Sequence, residues 1–377
     1  MKIAFVTNMC PHYRVKTFET LANYHNVEYY FFSMGDEWYW QQQNGVQAGA
    51  FHHEYLPGVR LKNTRLTPTL PWKLLRGDYE AYIKCINGRF ALPATYLIAR
   101  LKRKPFILWT GVWMRLQTRA HRLFFPITRY MYRHADAIVV YGEHVKRYLV
   151  SEGIEEQRIF VTHHAVDNQA YNRVVSNQEQ LALRQQLQIA PDQNVILYLG
   201  RLAEGKGLTY LLDAFASMNR TDTVFVLVGA GAEESRLKAK SEALGITRQM
   251  RFVGYVPTEE TTLYYKMADI FVLPSITTAT FKEPWGLVVN EAFNQGLPVI
   301  ATDAVGAAAG GLVQNGVNGF VVPERDSQAL ANALEQLLDD EDLRHNMGQN
   351  ALDTIRGWDN ERMIEGFRAA LDFVFGS

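Results

Sequence analysis

Short runs of Val, Ile, Leu and Phe recur along the chain, separated by stretches in which apolar residues return every three or four positions. Such runs read as strands buried on both faces of a parallel sheet, and the intervening periodicity reads as amphipathic helix. In the first half the runs cover 3–7, 27–33, 106–110, 137–141 and 159–162. In the second they cover 195–199, 224–228, 250–253, 270–273, 298–301 and 319–322. Strand and helix alternate through both halves, which predicts an α/β protein of two Rossmann-like, doubly wound parallel sheets. Ligands of such sheets lie beyond the carboxyl ends of the strands, so a cleft between two domains is expected. The first domain is expected over 1–170 and the second over 188–358, with the Gln- and Asn-rich stretch 168–193 as the linker. A last amphipathic segment, 360–375, fits either domain by its periodicity.

The 377 residues suffice for two such cores, and 47% hydrophobic with 21% charged residues describes a globular chain. No stretch approaches a membrane span, and the apolar run at the start is too brief for a signal-peptide core, so a cytoplasmic location is expected. Cys10 and Cys85 have neither metal-type spacing nor a disulfide framework and read as packing residues.

Charge changes the picture more than composition does. The formal net charge is zero, yet residues 1–190 carry 24 Lys and Arg against 14 Asp and Glu, and the remainder carries 15 against 25, giving +10 and −10. Between residues 81 and 135 there is no acid and there are eleven cations, from Lys84 and Arg100 through Lys102, Arg103 and Lys104 to Arg119 and Arg133. Trp109, Trp113, Phe124, Phe125, Tyr130 and Tyr132 are interleaved with them. That mixture reads as a face turned to an anionic membrane surface or a lipid-phosphate acceptor, with the protein peripheral on the inner face of a membrane. The plain alternative is a pair of helices with solvated cations. Nucleic acid is set aside, because no recognition motif accompanies the basic half and the whole chain carries no net charge.

Two motifs carry the chemistry. The run 195–199 leads into Gly200-Arg201-Leu202-Ala203-Glu204-Gly205-Lys206-Gly207 and then into a helical pattern. Glycines admit a ligand close to the backbone, a helix N-terminus favours an anion, and Arg201 and Lys206 beside it suit a diphosphate. A nucleotide triphosphatase loop is excluded, since Gly207 stands where the Mg²⁺-binding Ser or Thr belongs. The second motif is Glu283-Pro284-Trp285-Gly286-Leu287-Val288-Val289-Asn290-Glu291. Pro284 fits the first position of a helix, which sets Glu291 about 10.5 Å along the axis on the side of the helix start. Carboxylates so placed lie beyond the roughly 5 Å of a retaining hydrolase pair and suit two ends of one elongated ligand. Asp340-Glu341-Asp342 reads as helix-capping acids rather than a metal pair.

With Gly296-Leu297-Pro298 and Asn315-Gly316-Val317-Asn318-Gly319 following in order, the chain resembles the family-four retaining glycosyltransferases of the GT-B architecture. The resemblance implies hexosyl transfer with retention from a UDP- or GDP-sugar, without metal or other cofactor. It implies that Arg201 and Lys206 of the Gly200 loop bind the donor diphosphate, together with the N–H groups of Gly286 and Leu287. Glu291 would hold the ribose hydroxyls, and Glu283 would position the sugar rather than attack it. Arg201, Lys206 and Glu283 form the catalytic set, and the terminal helix, about 360–377, would return to the first domain. The first half departs from the family. Asn8-Met9-Cys10-Pro11-His12-Tyr13-Arg14 replaces a Gly-Gly loop, and Trp109-Thr110-Gly111-Val112-Trp113 stands where relatives place a His. No catalytic His is assigned: His121, His144, His163 and His164 read as structural. His12 and Arg14, with Lys102, Arg103 and Lys104, are placed on the acceptor or membrane side. The acceptor expected is a lipid-linked or cell-surface glycan precursor. A sugar-nucleotide epimerase on the same architecture and a non-catalytic nucleotide-sugar-binding protein are the alternatives.

Overall fold

The computed structural model describes residues 1–33, 49–61 and 64–376, and at 119–121 and 124 the backbone alone. The chain divides into two units, one of Met1–Trp113, Arg119–Asp167 and Asp359–Ser377, the other of Met114–Thr118 and Asn168–Trp358.

The first unit is built on β1 (Lys2–Thr7), β2 (Asn26–Phe31), β3 (His53–Tyr55), β6 (Ala81–Cys85), β7 (Phe106–Thr110), β8 (Ala137–Val140) and β9 (Ile159–Val161). They form one parallel sheet in the order β3-β2-β1-β6-β7-β8-β9, beside a small hairpin of β4 (Val59–Leu61) and β5 (Thr64–Leu66). Side chains alternate across the sheet. Phe5, Tyr29 and Trp109 meet Phe18 of the helix His12–Tyr24 and Phe367 of the terminal helix Asn360–Phe375. On the opposite face, Val6, Tyr82, Leu108 and Val140 pack with Leu70, Leu74, Ala99 and Met131 from the helices Thr69–Arg76, Ala91–Leu101 and Arg119–His134.

The second unit is a six-stranded parallel sheet of β10 (Asn194–Leu199), β11 (Thr223–Val228), β12 (Met250–Gly254), β13 (Ile270–Leu273), β14 (Val299–Thr302) and β15 (Gly319–Val322). Its order, β12-β11-β10-β13-β14-β15, reverses direction between β10 and β13, where a doubly wound sheet opens a crevice for a ligand.

Away from the two motifs, the structure corrects the sequence reading in three places. Strand β6 was hidden by the charge within Ala-Tyr-Ile-Lys-Cys. Lys84 is fully buried, and its ammonium donates to the carbonyls of Cys85 (2.6 Å) and Asn87 (2.7 Å) and to Asn87 Oδ1 (3.1 Å). The stretch 168–193 is not a bare linker. It folds into the helices Asn168–Tyr171 and Asn177–Gln186, the latter opened by a capping box of Ser176 and Glu179. Its polar side chains are spent inside the second unit: Asn168 donates to the carbonyls of Ile355 (3.0 Å) and Trp358 (3.2 Å) and accepts from Asn294 (3.0 Å).

Nor is the acid-free stretch 81–135 a single surface. Lys84, Trp109 and Tyr132 are core, Arg100 pairs with Asp136 (2.9 Å), and Lys102 donates to the carbonyls of Leu75 (3.0 Å) and Gly77. Arg103 is exposed and Lys104 half-buried. The side chains of Arg119, His121 and Phe124 lie outside the described residues. Among the described residues no helix is long and apolar enough to cross a membrane.

Candidate active site

In the second unit the Gly-rich loop leaves β10 and runs through a short 3₁₀ turn, Glu204–Lys206, into the helix Leu208–Ser217. Leu208, Leu211, Leu212 and Phe215 bury that helix against the sheet and thereby fix its start. Gly207 caps it at φ +65°, and a Cβ there would stand 2.0 Å from the carbonyl oxygen of Pro274, which follows β13. Only glycine lets the loop close on the neighbouring strand end. The amide of Ile276 donates to Gly205 O (2.9 Å) and completes the join.

That closure brings Lys206 to Glu283. The two side chains form an ion pair, about nine-tenths buried on each side, and Ser275 Oγ donates to the same Glu283 Oε2 (2.9 Å). The Phe281 ring lies 5.5 Å from the ammonium. Arg201 is exposed, and its guanidinium meets no carboxylate among the described residues.

The helix expected to begin at Pro284 begins four residues later, spanning Val288–Phe293. Trp285 is the cause. It is core, its indole N–H donates to Asn290 Oδ1 (2.8 Å) and its ring lies 5.9 Å from that of Trp358. Seating it keeps Glu283 extended, bridged to Val305, while Gly286 turns at φ +94°. Glu283 and Glu291 therefore come from a loop and from a short helix, not from one helical face. The N–H groups of Gly286 and Leu287, at the entry to that helix, bond to no backbone carbonyl among the described residues.

Glu291 is buried and accepts from Tyr265 Oη (2.8 Å). Burial pushes its carboxyl well above the ordinary carboxylate range, to about 7, against hydrogen bonds from Tyr265 and Tyr171 that pull it down. Neither Tyr265 nor Ser275 was singled out from sequence. Ser275 carried a usable signal, since it follows the strand that ends at the switch point; Tyr265 carried none.

Residues 179–354 match the family profile described as glycosyl transferases group 1, and residues 19–170 match that of glycosyltransferase family 4. The chain belongs to glycosyltransferase family 4. A D-inositol 3-phosphate glycosyltransferase of Corynebacterium aurimucosum is 32% identical over 232 residues, 58% of this chain and 52% of that protein. The lipopolysaccharide core biosynthesis glycosyltransferase LpsE of Rhizobium meliloti is 31% identical over 175 residues, 46% of this chain and 48% of that one. The chain thus spans about half the length of the curated relatives it matches. HepE of Anabaena, solved with UDP, aligns over 99% of this chain and 100% of its own with a TM-score of 0.78 at 21% identity. The fold is accordingly GT-B, two Rossmann-like parallel-sheet domains.

In this family-four chain Lys206 and Glu283 meet in the second unit, with Gly286 beside Glu283 and Leu287 next to it, while Gly200 lies just past the end of β10, its amide bonded to Val228 O (3.0 Å). Its family-divergent residues lie in the first. Arg14 is buried in the first turn of the helix His12–Tyr24, and His12 stands edge-on to Tyr13 (5.3 Å). His164 is buried, and burial with Arg14 and His144 nearby holds it well below the usual imidazole range. Asp340 caps the helix Glu341–Arg356, accepting from the Leu343 amide (2.8 Å). Among the described residues no group of three or more His, Cys, Asp or Glu could hold a metal ion.

Proposed function

We propose that this chain moves a hexosyl group, with retention, from a nucleotide sugar to an acceptor. The observation that carries the reading is the meeting of Lys206, Glu283 and Ser275 at the β10–β13 switch point, beside the open amides of Gly286 and Leu287. An ion pair this buried is a poor stability device, because desolvating both charges costs about what the attraction returns. It makes sense as a preset site. The diphosphate takes Lys206, Arg201 and the amides, and the freed Glu283 turns to hydroxyls of the donor sugar. As the glycosyl bond breaks, negative charge grows on the departing phosphate oxygen, and these fixed cations and dipoles stabilise it by several kcal/mol. Glu291 accepts from the ribose hydroxyls. UDP is the first base to test, since HepE of Anabaena was solved with UDP and with UDP-glucose.

The acceptor we propose is a lipid-linked or cell-surface glycan precursor, met at an anionic membrane. The helices Thr69–Arg76, Ala91–Leu101 and Arg119–His134 share one face of the first sheet, the last two joined by Tyr96 and Tyr130, whose rings lie 6.1 Å apart. They present Leu97, Leu101 (72% exposed), Leu123 (73% exposed), Ile127 and Tyr130 to solvent, with Arg103, Arg122 and Arg133 exposed among them. Apolar side chains amid cations are what an anionic leaflet binds.

A panel of UDP- and GDP-sugars screened by thermal stabilisation in EDTA tests the donor reading. A ligand at 100 times its dissociation constant adds about 2.7 kcal/mol. The true donor is expected to stabilise without added metal. A panel in which no nucleotide sugar stabilises the protein, or in which one does so only with Mn²⁺, overturns it.

A further inference from the structure

We infer that Arg14 is the anchor of an acceptor subsite for an anionic group, a phosphate or carboxylate carried by the molecule that receives the sugar. The inference rests on the transfer reading above and names its acceptor class. Arg14 is 6% exposed, and its guanidinium faces hydroxyl, imidazole and aromatic groups. It donates to Tyr141 Oη (3.1 Å) and approaches His164 at Nε2 (2.8 Å) and Nδ1 (3.3 Å). The Trp109 ring lies 4.4 Å away, and His164 is stacked on Tyr141 at 4.0 Å. No Asp or Glu pairs with it among the described residues; Glu19 of the same helix accepts from the Ala50 amide instead (3.1 Å).

A buried cation without a counter-ion is costly, and its aromatic and neutral hydrogen-bond partners offset only part of that cost. A neutral imidazole has one acceptor nitrogen, so only one of the two His164 contacts is a hydrogen bond. Of the five guanidinium N–H groups, about three are then uncommitted. None of the Arg14 nitrogens is both sealed from solvent and unpartnered. Tyr141, accepting from Arg14, keeps its own O–H to donate. The cluster therefore holds an excess of donors and of positive charge, which an anion would satisfy.

Its position agrees. Arg14 follows β1, Trp109 lies near the end of β7, Tyr141 follows β8 and His164 follows β9. All four stand at the carboxyl edge of the sheet, where doubly wound folds hold ligands, and β1 flanked by β2 and β6 is its switch point. The first-turn amides of the helix His12–Tyr24 add to the positive potential, because Pro11 supplies no side-chain cap.

Phosphate binding to the free protein tests this apart from transfer. Isothermal titrations would use inorganic phosphate, glucose 6-phosphate and short-chain phosphatidic acid against the parent, Arg14→Gln, Arg14→Lys, Tyr141→Phe and the double variant Arg201→Ala/Lys206→Ala. The expected result is phosphate binding that survives in the double variant, falls at least about tenfold in Arg14→Gln and falls about threefold or more in Arg14→Lys and Tyr141→Phe. Arg14-dependent binding of glucose 6-phosphate but not of phosphatidic acid marks a soluble acceptor, and the reverse marks a lipid one. If Arg14→Gln fails to fold, Arg14→Lys and Tyr141→Phe decide: affinities within twofold of the parent in both overturn the inference. So does phosphate binding that vanishes only in the Arg201→Ala/Lys206→Ala variant. Because no donor is present, a failed donor reading leaves these outcomes unchanged and is detected separately by nucleotide titration.

Discussion

Each of the two Glu residues of the motif is buried, and their surroundings differ. Glu283 is held by a cation and a hydroxyl, Lys206 and Ser275. Glu291 has only the Tyr265 and Tyr171 hydroxyls against the cost of burial, and its carboxyl rises to about 7. Glu291→Gln is therefore expected to weaken nucleoside diphosphate binding more than Glu283→Gln does, while Glu283→Gln mainly slows transfer. Titration calorimetry on both variants, with the transfer rate measured in parallel, separates the two effects, and a reversed order of nucleotide affinities would reassign the roles. The pH dependence follows from the same carboxyl. Ionised Glu291 offers both oxygens as charged acceptors, whereas the protonated form commits one to its own O–H, so nucleotide affinity should rise with pH through about 7 and lose that rise in Glu291→Gln. For folding the sign is opposite. A carboxyl raised in the native state keeps its proton longer than in the unfolded chain, so the free protein loses stability between about pH 4.5 and 7. Glu291→Gln should remove that loss and, at pH 8, gain on the order of 3 kcal/mol. A pH-independent difference between parent and variant in thermal unfolding contradicts the assignment.

At the level of elements, the second sheet was legible because its strands are mainly apolar runs, Arg251 of β12 being the charged exception, and its loops carry glycines at the turns. The places that were not legible share one physical cause: side chains whose class misreports their environment. Lys84 reads as surface but sits inside β6 with three oxygen acceptors, and Asn168 reads as linker but is committed to Ile355 and Trp358. Pro284 carries a helix-start signal, but the burial of Trp285, the next residue, outweighs it and delays the helix to Val288. The Gly200–Gly207 loop could be read as a phosphate cradle; that it closes on Pro274 could not, because the contact joins segments distant in sequence. That closure gives an element-scale test. Gly207→Ala combines left-handed strain with a backbone overlap and should cost at least about 3 kcal/mol and most of the transfer activity. Gly316→Ala, at φ +76° with nothing within 4 Å, is the control and should cost about 1 kcal/mol. Denaturant unfolding compares the two; equal costs would mean that the loop does not need its contact with Pro274.

For the whole molecule, the opposed charges of the two halves, +10 through residue 190 and −10 beyond, give the chain an electrical polarity. Sedimentation with vesicles is expected to show binding to anionic but not neutral lipid, weakened by salt and reduced at least about tenfold by Leu123→Glu with Ile127→Glu. Equal binding to both kinds of vesicle would dismiss the membrane face without touching the donor site. The donor site itself is reached most directly by titrating UDP, and then GDP, into the protein in EDTA, alongside Lys206→Ala and Arg201→Ala. One site per chain is expected, with affinity falling at least about tenfold, or 1.4 kcal/mol, in each variant while the fold persists. Affinity unchanged by both substitutions, or no binding of either nucleotide to the parent, would contradict the assignment of that loop to the donor diphosphate.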